Sequence, residues 1–401
     1  MAEDTGATPG ALDGLRVVEV GLLVQGPQAA ALLAQMGASV IKVELPGIGD
    51  LSRWVTLGAD DGRSAYFQAC NRGKRSLTLD LRRPEGQDVL RTLVRSADVL
   101  LTNFQPGTME GWGLGYEDLR EVNPGLIFAT ASAFGSRGPD ADRAGADLSA
   151  QAAGGLASAL GNDGEPPNTV PVTIADHIGS LNLVAGILAA LVARGRTGTG
   201  QQVEVSLLGT QIWAQASEYT AHFLTGELPG RANRAHPLLA GIYGLFSTAD
   251  GWLAIVGVTL PDRPRLFEAL GRPDLSGEER FLAPFLDKAT RAELFPLLDE
   301  AFAQRTTQEW SEVLRDLTIR YAPVRSYAEV AADEQVWANG YLACEPDDPE
   351  RRIVGSPIGL SQHPLSVGAP APELGQHTEE VLLEAGYGWD EIARWSDQGV
   401  I

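Results

Sequence analysis

The first half of the chain alternates short segments rich in β-branched residues with longer segments of helical periodicity. A loop at 21–26 joins the first strand to the first helix, which has Pro27 at its start and Gly37 at its end. Such alternation is typical of crossover units that build a mostly parallel sheet. The sequence therefore predicts an α/β domain of Rossmann-like architecture, with strands at 15–20, 39–44, 98–103 and 126–134 and helices at 27–38, 84–97 and 116–122.

The pattern changes after about residue 220. Residues 243–258 are typical of a β-hairpin, because the Ala-Asp-Gly sequence at their centre is a strong turn signal. Residues 327–372 are rich in proline and loop-forming residues. We therefore expect a large domain from residues 1–215 and 330–401, a smaller α+β domain at 225–325, and helices at 264–270, 290–304, 307–317, 377–385 and 389–398.

Residues 178–193 form the longest apolar run, which directly follows Asp176-His177 and precedes an R-x-R-T-G-x-G-Q turn and a strand. The run has 16 residues, fewer than the roughly 20 that span a membrane, so we predict a core helix beginning near Ile178. A carboxylate beside a buried element is costly unless it is bonded, so Asp176 is either the helix N-cap or a reactive group. The helix dipole would keep it ionised, and an ionised carboxylate can attack an activated acyl group.

The composition limits the possible partners. At 401 residues, with 44% hydrophobic and 21% charged content, the chain is typical of a globular protein with about two or three domains. A formal net charge of −21 argues against nucleic acid or an anionic membrane as a partner, because both require a basic surface. Two cysteines form no disulfide framework, and no metal-ligand spacing occurs. The acidic start lacks an apolar segment, so we expect a cytoplasmic protein.

One basic cluster contrasts with the acidic background, the sequence N-R-G-K-R at 71–75 followed by Arg82 and Arg83. It is either a solvated surface patch or a phosphate site, since Arg and Lys donate charge-assisted hydrogen bonds to phosphates. Its place after the second strand of a nucleotide-type fold favours the phosphate site. The loop G-L-L-V-Q-G lacks the glycines of a dinucleotide site, so no nicotinamide cofactor is predicted, although Glu44 ends the second strand.

Sequence motifs that cover nearly the whole chain resemble those of one known family. They are LDGLRVVEV, QGP, MGASVIKVE followed by Gly-Asp, NRGKRSLTLDL, LLTNFQPGTMEGWGLGYEDL, SAFGSRGP, AGADLSAQAAGG, IADHIGS, GILAALVARGRTGTGQQVEVSLL and SPIGLSQHP. In combination they are similar to the class III coenzyme A transferases, which include formyl-CoA transferase and the carnitine CoA-transferases. The resemblance rests on the whole set of motifs rather than on any single one.

The resemblance implies a reaction, because Asp176 occupies the position of the family's catalytic aspartate. It would attack the donor thioester to give a mixed anhydride, which the freed CoA thiolate converts to an aspartyl-CoA thioester. The acceptor carboxylate would then take CoA through a second anhydride. This route uses acyl-CoA and a carboxylic acid as substrates, with no metal and no permanently bound cofactor. The resemblance also implies a homodimer of interlocked chains.

The resemblance further implies where CoA binds. Its contacts would lie in the loop after the first strand, in the segment 79–82, at the end of the next strand and in the loop 132–135 near the pantetheine arm. Because CoA carries several phosphate charges, the basic cluster gains a role. The implicated residues are Val24, Gln25, Lys74, Arg75, Leu79, Asp80, Arg82, Asn103, Phe104 and Ser132.

Some positions depart from the family pattern. Leu45, Gln105 and Gly111 stand where basic residues are frequent in the family, and two of these positions can reach CoA phosphates. Their replacement suggests weaker CoA binding, or compensation by Arg53, Arg137 or Arg143. The glycine-run lid of oxalate-type members is also missing, which disfavours formyl/oxalate exchange.

Two alternative functions stay open. α-Methylacyl-CoA racemases of the same fold place a His directly before an Asp, whereas Ala146 precedes Asp147 here. Racemisation would lack its second acid–base group, and Asp147 is predicted to have an orienting role. The missing basic residues also allow a CoA-binding protein without turnover. Transfer would consume one thioester and create another on an added acid, whereas racemisation conserves the thioester and a binder leaves it untouched.

Overall fold

The structure, a computed structural model, describes residues 9–55 and 62–401. Residues 1–8, part of the expected large domain and of the acidic start, lie outside the described residues. The strands are β1 (Arg16–Val20), β2 (Ser39–Glu44), β3 (Lys74–Thr78), β4 (Val99–Thr102), β5 (Ile127–Ser132), β6 (Gln202–Ser206), β7 (Tyr243–Ser247), β8 (Trp252–Val256), β9 (Tyr321–Pro323), β10 (Leu342–Glu345) and β11 (Asp348–Val354). The helices are α1 (Gln25–Gln35), α2 (Ala65–Cys70), α3 (Pro84–Val94), α4 (Thr108–Gly111), α5 (Tyr116–Val122), α6 (Asp147–Ala153), α7 (Leu156–Ala159), α8 (Ile174–Thr197), α9 (Leu207–Ala214), α10 (Ala216–Thr225), α11 (Asp262–Ala269), α12 (Lys288–Phe302), α13 (Thr307–Asp316), α14 (Tyr327–Ala331), α15 (Glu334–Ala338), α16 (Thr378–Glu384) and α17 (Trp389–Asp397).

Strands β1 to β6 form one parallel sheet in the order β3-β2-β1-β4-β5-β6. The order reverses direction at β1, and in doubly wound sheets ligands bind at the carboxyl ends of the strands near such a reversal. The predicted α/β class is confirmed. The loops after β1 and β4, which flank the reversal, are therefore the first place to look for a site.

Strand β3 is an element that the hydrophobic pattern did not reveal. Its residues were interpreted only as part of a basic cluster, yet Lys74, Ser76 and Leu77 are all buried. A strand that directs Lys and Ser side chains inward lacks the apolar alternation by which half-buried strands are recognised. The cluster at 71–75 is therefore not a solvated surface patch.

Two apolar cores cover the two faces of the parallel sheet, and neighbouring residues of β1 contribute to opposite cores. On one face Leu33 of α1 and Ile187 of α8 pack against the strands. On the other face Leu90 of α3 packs with Leu382 of α16 and Ile392 of α17. The end of the chain thus completes the core begun by its first half.

Helix α8 begins at Ile174, earlier than the expected start near Ile178. Thr173 stands at its N-cap and Asp176 lies within its first turn, so the interpretation of Asp176 as the N-cap is wrong. The helix has 24 residues and, within the parts of the chain that the structure describes, is the one helix long and apolar enough to cross a membrane by length and composition. Here its apolar residues pack on α1 and on the face of the sheet.

A second unit comprises Gly155–Thr169 and Gln215–Asp333. Its antiparallel sheet has the order β7-β8-β9, and the hairpin predicted at 243–258 is confirmed as β7 and β8. Its separate core includes Phe246, Phe302 and Trp310.

The segment expected to be rich in loops, 327–372, contains short regular elements. Helices α14 and α15 lie at its start, and β10 and β11 form an antiparallel hairpin. Helices α16 and α17 follow close to their predicted bounds.

Candidate active site

Two aspartates meet at the beginning of helix α8. Asp147, the first residue of α6, is buried, and its Oδ1 accepts hydrogen bonds from the backbone N–H groups of Ala175 (2.6 Å) and Asp176 (3.3 Å). Its Oδ2 accepts a hydrogen bond from Nε2 of Gln151 (2.6 Å). Asp147 thus satisfies two of the N–H groups that lack a partner within a helix start, those of Ala175 and Asp176. This bonding explains why α8 starts at Ile174.

The Asp176 carboxylate has no such partner. Among residues 9–55 and 62–401, no group donates a hydrogen bond to its side-chain oxygens. Burial, and next the negative charge of Asp147, raise the pKa of Asp176 from 3.8 to about 7. The sequence led us to expect that the N–H groups at the helix start keep the Asp176 carboxylate ionised. They do not, because Asp147 accepts the hydrogen bonds of these N–H groups. A carboxyl group that titrates near neutral pH is typical of reactive sites.

The side chain of Gln25 packs against the helix face that carries Asp176. A methyl carbon placed at Gly179 would lie only 2.6 Å from Nε2 of Gln25. Ser180 Oγ lies 2.8 Å from the carbonyl oxygens of both Gln25 and Asp176. Residues three and four apart share a helix face, so Gly179 and Ser180 lie on the face of Asp176. Nε2 of Gln25 is buried and has no acceptor among the described residues. An unpaired donor therefore faces this part of α8.

The loop that carries Gln25 is fixed through its backbone. The Asn103 amide accepts a hydrogen bond from the N–H of Leu22 (2.8 Å) and donates one to its carbonyl oxygen (2.7 Å). Oδ1 of Asp50 accepts a hydrogen bond from the N–H of Leu23 (2.9 Å), which has a φ of 65°. A left-handed conformation is unfavourable for leucine, so it persists only where such contacts impose it. Asn103 and Asp50 thus position the start of α1.

A buried ion cluster supports this loop. Nζ of Lys42 lies 2.8 Å from both Glu19 and Asp50 and donates to the carbonyl oxygen of Gly21 (3.0 Å), while Nζ of Lys74 lies 2.6 Å from Glu19. All four ionisable side chains are buried. Burial opposes the charge of Lys42, but Glu19 and Asp50 raise its pKa above the ordinary value. Burial lowers the pKa of Lys74 to about 8, although Glu19 opposes this change.

Most of the residues implicated in CoA binding lie at the carboxyl edge of the parallel sheet. A cavity of about 260 Å³ at the ends of β4, β5 and β6 is lined by Phe104 and Ser132 among others. The Arg82 side chain is 63% exposed and lies 2.8 Å from Asp80. The loops that follow the strands carry Val24 and Gln25 after β1, Leu79, Asp80 and Arg82 after β3, and Asn103 and Phe104 after β4, while Ser132 ends β5.

The structure places Lys74 and Arg75 away from this cavity. Lys74 is enclosed in the ion cluster, where it also donates to Oδ1 of Asn71 (2.8 Å). Arg75 lies on the opposite side of β3 and pairs with Glu380 (2.8 Å) and Glu384 (2.9 Å) of α16. Both side chains therefore hold protein carboxylates or amides in this structure.

The arginines considered as replacements for missing basic residues differ in their surroundings. Arg53 donates two hydrogen bonds of 2.8 Å to Glu44 and lies 3.6 Å from the ring centroid of Phe67. Glu44 is therefore bound within the protein rather than presented to a ribose. Arg143 lies over Phe134, which follows β5, and Arg137 is exposed in the same loop region.

Sequence patterns alone did not predict that Lys42, Asp50 or Gly179 belong to the site. The available signal was an ionisable residue at an inward position of an apolar strand, as in V-I-K-V-E for Lys42 and R-V-V-E-V for Glu19. Within the described residues, no group of three or more His, Cys, Asp or Glu side chains is arranged to hold a metal ion.

Comparisons with known proteins agree with this architecture. Residues 12–378 match the model of CoA-transferase family III. The chain is 38% identical to the succinyl-CoA:mesaconate CoA-transferase of Haloarcula marismortui, with 94% of this chain and 97% of that protein covered. It is 35% identical to the succinate–glutarate CoA-transferase of Agrobacterium fabrum, with 93% and 95% covered.

A solved structure, that of a CaiB/BaiF family protein from Brucella suis, resembles this one with a TM-score of 0.85 at 34% identity. The alignment covers 94% of this chain and all of the Brucella chain. The chain therefore belongs to CoA-transferase family III and is a class III CoA-transferase.

Proposed function

We propose that this enzyme moves CoA from an acyl-CoA thioester to a carboxylic acid through covalent intermediates on Asp176. The observation that carries the proposal is the contrast within the aspartate pair. Asp147 is fully bonded, whereas Asp176 has no donor among the described residues and a pKa raised to about 7. A carboxylate that is not bonded by the protein retains its basicity and is free to attack an acyl carbon.

The proposed steps conserve every atom. A carboxylate oxygen of Asp176 attacks the donor acyl carbon, the carbon–sulfur bond breaks, and CoA thiolate leaves a mixed anhydride. The thiolate then attacks Cγ of Asp176, and the donor acid departs with the bridging oxygen. The resulting aspartyl-CoA thioester is attacked by the acceptor carboxylate, which gives a second anhydride. Attack of the thiolate on the acceptor acyl carbon forms the new thioester and restores Asp176.

Gln25 is proposed to stabilise the charge that develops in these steps. Each attack converts a carbonyl oxygen into an oxyanion, and a fixed N–H donor beside it lowers the barrier. Nε2 of Gln25 is such a donor, because it is buried, lacks an acceptor among the described residues and packs against α8 at Gly179.

CoA is proposed to lie along the carboxyl edge of the parallel sheet. The cavity beside Phe104 and Ser132 suits the pantetheine arm, and the exposed guanidinium of Arg82 suits a phosphate. Val24 and Leu79 are buried at the intervening strand ends, so they would support the CoA site from within the protein. Lys74 and Arg75 would act indirectly, since each is held by protein groups in this structure.

The names of the relatives support a class of substrates. Succinate, mesaconate and glutarate are all short dicarboxylic acids, and they occur in the names of the relatives from Haloarcula marismortui and Agrobacterium fabrum. We extend the proposal to donors and acceptors of this class. We also propose that the enzyme acts in the cytoplasm as a homodimer, as the family resemblance implies.

Transfer of oxygen-18 tests the covalent route. The enzyme is incubated with succinyl-CoA and glutarate labelled with oxygen-18 in its carboxylates, and the peptide that contains Asp176 is analysed by mass spectrometry. Because the bridging oxygen of the second anhydride remains on Asp176, one labelled oxygen should enter this peptide. Turnover without label in the peptide would contradict the proposal.

Hydroxylamine provides a second readout. With succinyl-CoA and no acceptor, hydroxylamine should trap Asp176 as the hydroxamate. Asp176→Asn should remove the adduct, and Asp316→Asn serves as the matched control, because Asp316 is exposed at the end of α13. An adduct on a different residue would overturn the assignment.

A further inference from the structure

A cavity of about 800 Å³ lies on the side of α8 that follows Asp176. Its wall on this helix is formed by His177, Ser180 and Leu181, and α1 and the hairpin of β10 and β11 form other walls. Ser180 lies four residues after Asp176 in α8 and therefore on the same helix face, so the cavity begins one helical turn from the site. The cavity is large enough for an acyl chain and has no role in the steps proposed above.

The walls of this cavity carry positive charge in a strongly acidic protein. Its ionisable lining consists of Glu345 and His177 together with Arg63, Arg72, Arg351 and Arg352. Glu345 is shared by Arg72 (2.6 Å) and Arg351 (2.8 Å), and Arg351 also lies 3.6 Å from Asp348, which is not part of the lining. The chain as a whole has a formal net charge of −21. A concentration of cations in a concave site attracts an anionic group.

Arg352 lines the cavity and is exposed to solvent. No carboxylate of the described residues lies within ion-pair distance of it, and its guanidinium lies 5.8 Å from the ring centroid of Trp337. Apolar side chains, among them Leu32, Leu181 and Ile353, form the wall between the cations. A hydrocarbon chain with a terminal carboxylate combines the two properties that such a lining would recognise.

We infer that this cavity binds the distal carboxylate of a dicarboxylic acyl group, with Arg352 as its ionic partner. The inference rests on the proposed function, since the other end of the acyl group must reach Asp176. It assigns selectivity between dicarboxylic and monocarboxylic substrates to the hairpin of β10 and β11, whose side chains lie far in sequence from the catalytic segment. The same cavity serves donor and acceptor, because their acyl groups occupy equivalent positions in the two half-reactions.

Succinyl-CoA and butyryl-CoA form a matched pair of probes, because their four-carbon acyl groups differ in a terminal carboxylate against a methyl group. The measured quantity is the rate constant of hydroxamate formation on Asp176 with each thioester, expressed as the succinyl-to-butyryl ratio. A ratio is independent of the fraction of folded enzyme, so partial loss of folding cannot imitate the effect. Wild-type enzyme should favour succinyl-CoA.

Arg352→Gln should lower this ratio about 10- to 100-fold, the usual effect of removing one charged hydrogen-bond partner. Arg352→Lys should retain more of the ratio, since it keeps the charge. Arg95→Gln, an exposed arginine at the end of α3, should leave the ratio unchanged. If the ratio were unchanged in Arg352→Gln, or if the wild type showed no preference for succinyl-CoA, the inference about the cavity would be wrong. The proposed function would not be affected by either result. Absence of any adduct on wild-type Asp176 would instead overturn the proposed function.

Discussion

Two groups of carboxylates lie near the start of α1, and their surroundings are opposite: Glu19 and Asp50 are buried, whereas Asp176 is half-buried. Glu19 and Asp50 contact the ammonium groups of Lys42 and Lys74 at 2.6–2.8 Å. Asp176 faces another carboxylate, and no described residue donates a hydrogen bond to it. Correspondingly, Lys42 lowers the pKa of Asp50 despite burial, whereas burial and Asp147 raise the pKa of Asp176 to about 7.

The difference shows how a protein divides structural from reactive charges. Ions that are paired and bonded fix a backbone, because removing one partner leaves an expensive unpaired charge. A carboxylate without partners weakens the folded state, and this cost fits the chemical role proposed for Asp176. Asp147 links the two situations, since it is bonded itself and yet raises the pKa of its neighbour.

Replacement of the reactive carboxylate should have the largest effect. Asp176→Asn keeps the size of the side chain but removes the nucleophile, so the rate of CoA transfer should fall at least ~10³-fold. The measurement is steady-state transfer from succinyl-CoA to glutarate, with Asp316→Asn as the exposed control. A loss smaller than tenfold would show that another group attacks the thioester.

Replacement within the ion cluster should affect stability instead. Lys42→Met leaves Glu19 and Asp50 without their shared partner and should lower the free energy of unfolding by about 3–5 kcal/mol. Urea denaturation measures this change. Lys288→Met removes a lysine whose side chain is 79% exposed and should remain close to wild type. Similar losses in both variants would contradict the structural role of the cluster.

The charge of Asp147 can be removed while its shape is kept. Asp147→Asn should lower the pKa of Asp176, because a like charge disappears from its surroundings. In the proposed mechanism ionised Asp176 is the nucleophile, so hydroxamate formation in the wild type should increase through about pH 7. In the variant the midpoint should shift downward by about half a unit to one unit. An unchanged midpoint would mean that burial alone sets this pKa.

The unpaired carboxylate should also affect stability, but less than the ion cluster does. Below pH 3.8, the ordinary pKa of this group, Asp176 is protonated in both the folded and the unfolded chain. Its carboxyl group then does not lower the free energy of unfolding. As the pH rises towards 7, only the unfolded chain ionises it readily, and above pH 7 the cost is fully present. Asp176→Asn should therefore be more stable than wild type by about 1–3 kcal/mol at pH 8. The advantage should vanish near pH 3, and a constant advantage at all pH values would contradict this account.

The sequence alone predicted some elements of the fold and missed others. The apolar alternation gave β2 its observed bounds, and α5 matched as well, because both follow simple periodicity. Strand β3 escaped detection because Lys74 and Ser76 occupy its inward positions. The start of α8 was misplaced because Asp147, distant in sequence, supplies its cap.

The site was predictable to a similar degree. Asp176 was predicted to be reactive from its place before an apolar helix, and this role stays a prediction; its pKa depends on burial and on Asp147, which only the folded chain defines. The ion cluster unites Glu19, Lys42 and Lys74 from three strands, and no local pattern links them. The cavity beside α8 likewise combines segments far apart in the chain.

Gly179, which has no side chain, affects both the stability of α8 and the position of the Gln25 amide, and its replacement should change the two in opposite directions. Alanine favours a helix interior over glycine by about 1 kcal/mol, so Gly179→Ala should stabilise α8. The same methyl group would occupy the space of the buried Gln25 side chain, whose Nε2, Cδ and Cγ would lie 2.6, 3.2 and 3.3 Å from it, so the amide would have to shift. We expect Gly179→Ala to have a higher thermal stability and a lower rate of CoA transfer than the wild type. Thermal denaturation and the steady-state transfer rate measure these two quantities. The absence of a side chain at Gly179 would then leave space for the Gln25 amide, which is proposed to stabilise the developing oxyanion.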